Sequence, residues 1–179
     1  VLERLEELRF TTSDLEYLDS LGHFHTEFLE LLGQLRFSGD IAAMAEGTAA
    51  FAGEPILRVT APIIEAQLLE TFLMNMVHLQ TLIASKAARV VLAADGRGLV
   101  DFGLRRTHGT ESGLLGARAS RIAGFDATSN VEAGKCFDIP VAGTMAHSYV
   151  QALHDEEEAF RTFVETYPET TLLVDTYDT

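Results

Sequence analysis

Apolar residues recur at three- and four-residue spacing through the first 35 positions, in "VLERLEEL", "SDLEYLDSL" and "HTEFLELLGQL", and each run predicts a short helix. Ser13 and Glu16 stand at the separation of a capping box. From Leu35 to Val59 the pattern breaks into shorter pieces. "LRF", "IAAMAEG" and "PILRVTA", set off by Gly39, Gly47, Gly53 and Pro55, predict strands of a small sheet. Pro62 suits the first position of a helix, and the tract after it, "IIEAQLLETFLMNMVHLQTLIASKAARVVLAADG", keeps helical periodicity. It predicts two helices joined near residues 71–78 and ending at Asp95-Gly96.

Beyond Gly96 the rhythm becomes strand, polar turn, helix, three times over. "GLVDFGLRR" predicts a strand ending in two arginines, followed by "ESGLLGARASRIAG" as helix. "DIPVAGT" predicts a strand ending near His147, with helical segments on to Tyr167, and "TLLVDTYDT" a third strand ending in two aspartates. Strands alternating with helices argue for parallel βα units, whose chemistry gathers beyond the carboxyl ends of the strands. The expected division is residues 1–61 as part of an N-terminal α+β domain, 62–97 as a helical connection, and 98–179 as the first βα units of a second domain.

Composition narrows the possible functions. The chain has 179 residues, 47% hydrophobic and 22% charged, which is the balance of a globular protein. Its net charge of -14, from 27 acidic and 13 basic residues, opposes broad binding to nucleic acid or anionic membrane. Any phosphate site must then be local. The single cysteine, Cys136, rules out an internal disulfide and suits a reducing cytoplasm. The longest apolar stretch is interrupted by Glu65 and Glu70, too polar for an uncharged membrane span of about 20 residues. The opening directly into helix at Val1 and the stop soon after an apolar run suggest part of a longer polypeptide.

If the three strands are parallel, one rim collects Arg105 and Arg106, Thr144 and His147, and Asp175 and Asp178. Arginine offers a planar fork of donors for phosphate or carboxylate. The aspartates, with Thr176 and Thr179, suit ribose hydroxyls or a magnesium ion that keeps most of its waters. A histidine among them serves as base or nucleophile. Thr128, Ser129 and Asn130 add hydroxyl, amide and helix N-terminal donors. Plainer readings stand beside these: a structural histidine, a surface ion-pair edge at Arg105 and Arg106, a turn cap at Asp175 and Asp178. His23 and His25 lack further ligands at metal spacing. His78, His108 and His154 read as surface or packing residues, Cys136 as structural, and "DEEEAF" as a solvated helix start.

The runs "FSGDIAAMAEGTAAFAGEPILRVTAPIIEAQLLET", "TLIASKAARVVLAA", "DFGLRRTHG", "GFDATSNVEAGKCFDIPVAGTMAHSYV" and "LLVDTYDT" resemble nicotinate phosphoribosyltransferase across nearly the whole chain from about Leu2. The resemblance implies a type II phosphoribosyltransferase fold, an irregular α/β barrel, incomplete here, joined to the small N-terminal domain. It also implies sites shared across a homodimer. The implied reaction joins nicotinate and phosphoribosyl pyrophosphate into nicotinate mononucleotide and pyrophosphate, with ATP hydrolysed alongside and Mg2+ as cofactor. By the same resemblance His147 is the residue ATP phosphorylates, Thr144 contacts nicotinate, Phe102 packs near the pyridine, and Arg105 clamps an anionic group. Asp175 lies near ribose and metal, although no residue is assigned as a direct ligand.

At Asn130 the related nicotinamide phosphoribosyltransferases resemble this region but carry aspartate, so a neutral side chain there implies preference for the acid. A nicotinamide-specific enzyme and a non-catalytic fragment that only dimerises or regulates are the alternatives. The family's N-terminal aromatic motif has no counterpart before Val1, and its later barrel strands would follow Thr179. Residues 1–179 by themselves are therefore expected to lack transferase activity.

Overall fold

The computed structural model describes residues 2–178; Thr179, read above with the ribose-facing hydroxyls, lies outside them, as does Val1. The described residues fall into two compact units, one ending at Leu82 and the other beginning at Ile83.

The first unit opens with α1 (Leu2–Glu6), α2 (Thr12–Ser20) and α3 (Thr26–Gln34). The α2 cap is Thr11, not the expected Ser13. The Thr11 hydroxyl accepts from Asp14 N at 3.2 Å while the Asp14 carboxylate accepts from Thr11 N at 2.8 Å. Those two bonds close a reciprocal box two residues earlier, and the Thr11 hydroxyl and Thr11 N, both donating to the Asp14 carboxylate, hold that carboxyl below its ordinary value. Strands β1 (Asp40–Ala43) and β2 (Leu57–Thr60) pair antiparallel, Ile41 opposite Val59. "LRF" forms no strand, and Phe37 packs instead on a core of Leu5, Leu69 and Leu73 with Ile41, Leu57, Val59 and Phe72. Ser38 ties this turn to the start of the next helix, donating from N and Oγ to the two Glu65 carboxylate oxygens at 2.7 and 2.9 Å.

That helix, α4 (Ile63–Ala94), is continuous for 32 residues, so the expected joint near 71–78 does not exist. Its sequence holds no proline or glycine, and weaker helix formers such as Asn75 do not break a helix of this length. It stops where predicted: Asp95 and Gly96 both turn left-handed, with φ of 50° and 80°.

In the second unit β3 (Val100–Asp101) pairs in parallel with β4 (Ala127–Thr128), Asp101 opposite Thr128. Thr128 in turn makes a parallel bridge to Val141. The parallel βα arrangement is therefore present, although its strands differ from the expected ones. The first ends at Asp101, and Leu104–Arg106 form a 3-10 turn, because the Asp101 carboxylate captures Gly103 N at 2.9 Å and bends the chain. The second reduces to the rung at Val141, while the short β4 strand had no forecast. The third does not form among the described residues: Leu172 and Leu173 pack on a cluster of Met145, Val150 and Ala159. Between these lie α5 (Thr110–Ala123), α6 (Val131–Phe137), α7 (His147–Gln151) and α8 (Glu156–Thr166). The acidic start of α8 behaves as expected, Asp155 capping it by accepting from Glu158 N at 2.7 Å. Among the described residues no helix is long and apolar enough to cross a membrane.

Candidate functional site

Where β3 and β4 end, one carboxylate organises the chain. Asp101 Oδ1 accepts from Gly103 N at 2.9 Å and Oδ2 accepts from the Thr128 hydroxyl at 2.9 Å. The Asp101 carbonyl accepts from Ser129 N at 2.8 Å. Thr128, only 1% exposed, accepts at the same hydroxyl from Asn130 N at 3.1 Å. Its backbone reaches the other way, receiving Ala142 N at 3.1 Å and donating to Pro140 O at 3.0 Å. Three chain segments meet at this one residue. Asp101 did not stand out in the sequence, where it reads as one more polar position of a strand; its hint is that Gly103, two residues on, must lack a Cβ. A methyl there would sit 2.9 Å from Asp101 Oδ1.

The turn that leaves Asp101 carries Phe102 and Arg105. Phe102 is 52% exposed and Arg105 is exposed, with no hydrogen-bond or ion-pair partner for its side chain among the described residues. The turn leans on α5 at Gly113, where a Cβ would strike Leu104 and crowd the Thr107 hydroxyl. Arg106 is likewise exposed.

Ser129 and Asn130 follow β4. Ser129 is half-buried, whereas Asn130 is buried and spends its side-chain oxygen on α6, accepting from Ala133 N at 3.2 Å. The amide seen in the sequence as a substrate-facing group is thus also the N-cap of a helix.

After the Val141 rung the chain turns through Thr144 into α7, whose first residue is His147. Both meet the segment read as a third strand. The Thr144 hydroxyl donates to the Thr171 carbonyl, and His147 Nδ1 lies 3.3 Å from the Thr176 hydroxyl. His147 is half-buried and Asp175, beside Thr176, is exposed. The structure therefore brings together Thr144, His147 and the 171–176 segment, and separately Asp101, Ser129, Asn130 and the Phe102–Arg105 turn, with Thr128 and Val141 as the link between the groups.

No group of three or more histidine, cysteine or acidic side chains that could hold a metal ion occurs among the described residues. A magnesium ion that keeps most of its waters needs only one or two carboxylates, and Asp175 is an exposed carboxylate. Cys136, exposed on α6, donates to Glu132 at 3.4 Å, which raises its thiol pKa and argues against a ready nucleophile. An open depression of about 450 Å³ lined by Glu156, Glu157, Phe160, Arg161 and Val164 belongs to one face of α8 and contains none of the rim residues.

These features define a parallel βα protein with its polar side chains gathered at the carboxyl ends of the strands. The crystal structure of human nicotinic acid phosphoribosyltransferase shares the fold, with a TM-score of 0.77 and 38% identity over 84% of this chain and 31% of that one. A nicotinate phosphoribosyltransferase of Mycobacterium tuberculosis is 55% identical over all 179 residues, and one of Bacillus subtilis is 52% identical over 99% of the chain. This chain spans 39% and 36% of those two relatives, less than half their length. The family model for the nicotinate phosphoribosyltransferase N-terminal domain matches residues 1–78, and that for the nicotinate phosphoribosyltransferase family matches residues 98–179. The chain belongs to the nicotinate phosphoribosyltransferase family.

Proposed function

We propose that the protein carrying this chain is a nicotinate phosphoribosyltransferase of NAD biosynthesis, forming nicotinate mononucleotide and pyrophosphate from nicotinate and phosphoribosyl pyrophosphate. The observation that carries the reading is the 55% identity over all 179 residues to the relative from Mycobacterium tuberculosis, a span that includes every rim residue. ATP hydrolysis is coupled through phosphorylation of His147. A neutral imidazole is nucleophilic at pH 7, and the phosphoryl group it gains adds charge that rearranges a site built for anions. The half-buried ring, steadied by Thr176, supports this role.

Arg105 takes an anionic group and Phe102 covers the pyridine, roles supported by the exposure of both side chains and by the lack of a partner for Arg105 among the described residues. Thr144 and Ser129 offer polar contacts to nicotinate. Its Oγ hydrogen committed to Thr171, Thr144 is left as an acceptor. Asp175, exposed beside Thr176, serves the sugar hydroxyls and would hold Mg2+, which supplies charge neutralisation to departing pyrophosphate. The βα units of residues 98–179 begin an irregular barrel, residues 1–61 contribute to the N-terminal domain, residues 62–97 connect them, and the protein works as a cytoplasmic homodimer.

The test is incubation of the natural polypeptide with γ-labelled ATP and magnesium, beside a His147→Ala variant, followed by mapping of acid-labile label. Label on the "VAGTMAHSYV" peptide that vanishes in the variant, together with loss of ATP-stimulated turnover, is the expected result. Turnover of nicotinate with no label on that peptide would leave the coupling role of His147 without support.

A further inference from the structure

We infer that Asp101 and Thr128 act as one positioning unit for the substrate rim, the shared hydrogen bond setting the Phe102–Arg105 turn and the Ser129–Asn130 segment in register with each other. The inference rests on the transferase reading for its substrate and on geometry for everything else. Asp101 uses both carboxylate oxygens, one on Gly103 N and one on the Thr128 hydroxyl, each at 2.9 Å. The Thr128 hydroxyl works in both directions, donating its one proton to Asp101 and accepting from Asn130 N at 3.1 Å. A hydroxyl has one proton to give, so the direction of every bond in this chain is fixed. The carboxylate cannot rotate toward one loop without releasing the other.

Strand pairing alone would not achieve this. β3 and β4 share only two residue pairs, too few to fix the loops that leave them. The side-chain bridge locks the last of those pairs, Asp101 opposite Thr128; the Ser129 N bond to the Asp101 carbonyl carries the pairing one step further, and the parallel rung from Thr128 to Val141 extends it to the segment that runs on to Thr144 and His147. Gly103 marks how close the approach is, since a Cβ there would come within 2.9 Å of the Asp101 oxygen. Thr128 is fully buried and the half-buried Asp101 has both carboxylate oxygens engaged, so their part is to place other side chains.

The experiment uses the natural polypeptide and four variants: Asp101→Asn, Thr128→Val, the pair combined, and Thr128→Ser. Steady-state kinetics with nicotinate and phosphoribosyl pyrophosphate are read beside labelling of His147 by ATP and amide exchange at Gly103 and Ser129. Asp101→Asn keeps the shape but puts an amide donor where one oxygen must accept; Thr128→Val keeps the shape but removes the hydroxyl. Each is expected to raise KM for nicotinate on the order of tenfold while His147 still takes label. The combined variant should be no worse than the worse single one, because both break the same unit. Thr128→Ser should regain most of the lost affinity, and Gly103 and Ser129 amides should exchange faster in Thr128→Val. An unchanged KM in Thr128→Val, or single effects that multiply in the combined variant, would overturn the inference. Should the wild-type protein fail to convert nicotinate, the proposed function falls and exchange alone decides: faster exchange at Gly103 in Thr128→Val sustains the coupling, and unchanged exchange removes it.

Discussion

Asn130 illustrates how one side chain is read differently from its neighbours in sequence and in space. In the sequence it is a neutral amide beside two hydroxyls, and its lack of charge is the notable property. In the structure it is 5% exposed, and its oxygen accepts from Ala133 N to cap α6. The two roles separate by substitution, because aspartate caps as well as asparagine does and alanine does not. Asn130→Ala is expected to cost about 1 kcal/mol of stability, measured by urea unfolding. Asn130→Asp should keep that stability while raising KM for nicotinate relative to nicotinamide, since it sets a negative charge near a carboxylate substrate. Equal KM ratios in Asn130→Asp and wild type would confine Asn130 to the cap.

At the scale of elements, the sequence speaks clearly wherever a pattern is long enough to repeat. α5, α8 and the end of α4 fall close to where periodicity and the Asp95-Gly96 stop place them. The two-residue strand β4 shows no period at all, and only its Thr128 is legible, as a hydroxyl ahead of a helix. The apolar run at 172–174 signals packing for two of its three residues and no pairing: Leu172 and Leu173 pack on the Val150 cluster while Val174 is exposed, a choice that no local pattern encodes. The rim was legible as residue types, while the Asp101–Thr128 bond that sets it joins positions 27 apart and leaves only Gly103 as a trace. Gly113 leaves a similar trace where α5 meets the Arg105 turn. Alanine at a helix interior is worth about 1 kcal/mol over glycine, but overpacking costs about 1–3 kcal/mol, and here the Cβ meets Leu104. Gly113→Ala is therefore expected to lower stability despite its better propensity, and a higher urea midpoint would show that the turn yields freely.

Among the described residues two apolar clusters stand out at the scale of the whole molecule, one on each side of the Leu82–Ile83 division of the chain. Leu69, 1% exposed, packs with Leu5 and Leu73; Val150, fully buried, packs with Met145 and Ala159. The residues around one cluster do not recur around the other. Truncations that share no partner add, whereas truncations in one packed set interact. Leu69→Ala should cost about 2–5 kcal/mol and Val150→Ala about 2 kcal/mol, the difference following the number of buried carbons removed and the cavity left. The cost of the pair, measured by urea unfolding, should equal the sum of the singles. Amide exchange should quicken around α1 and β1–β2 in the first variant and around α7 and α8 in the second. A pair cost well short of the sum would show that the two truncations interact, and exchange that quickens throughout in both variants would show that the two units unfold as one.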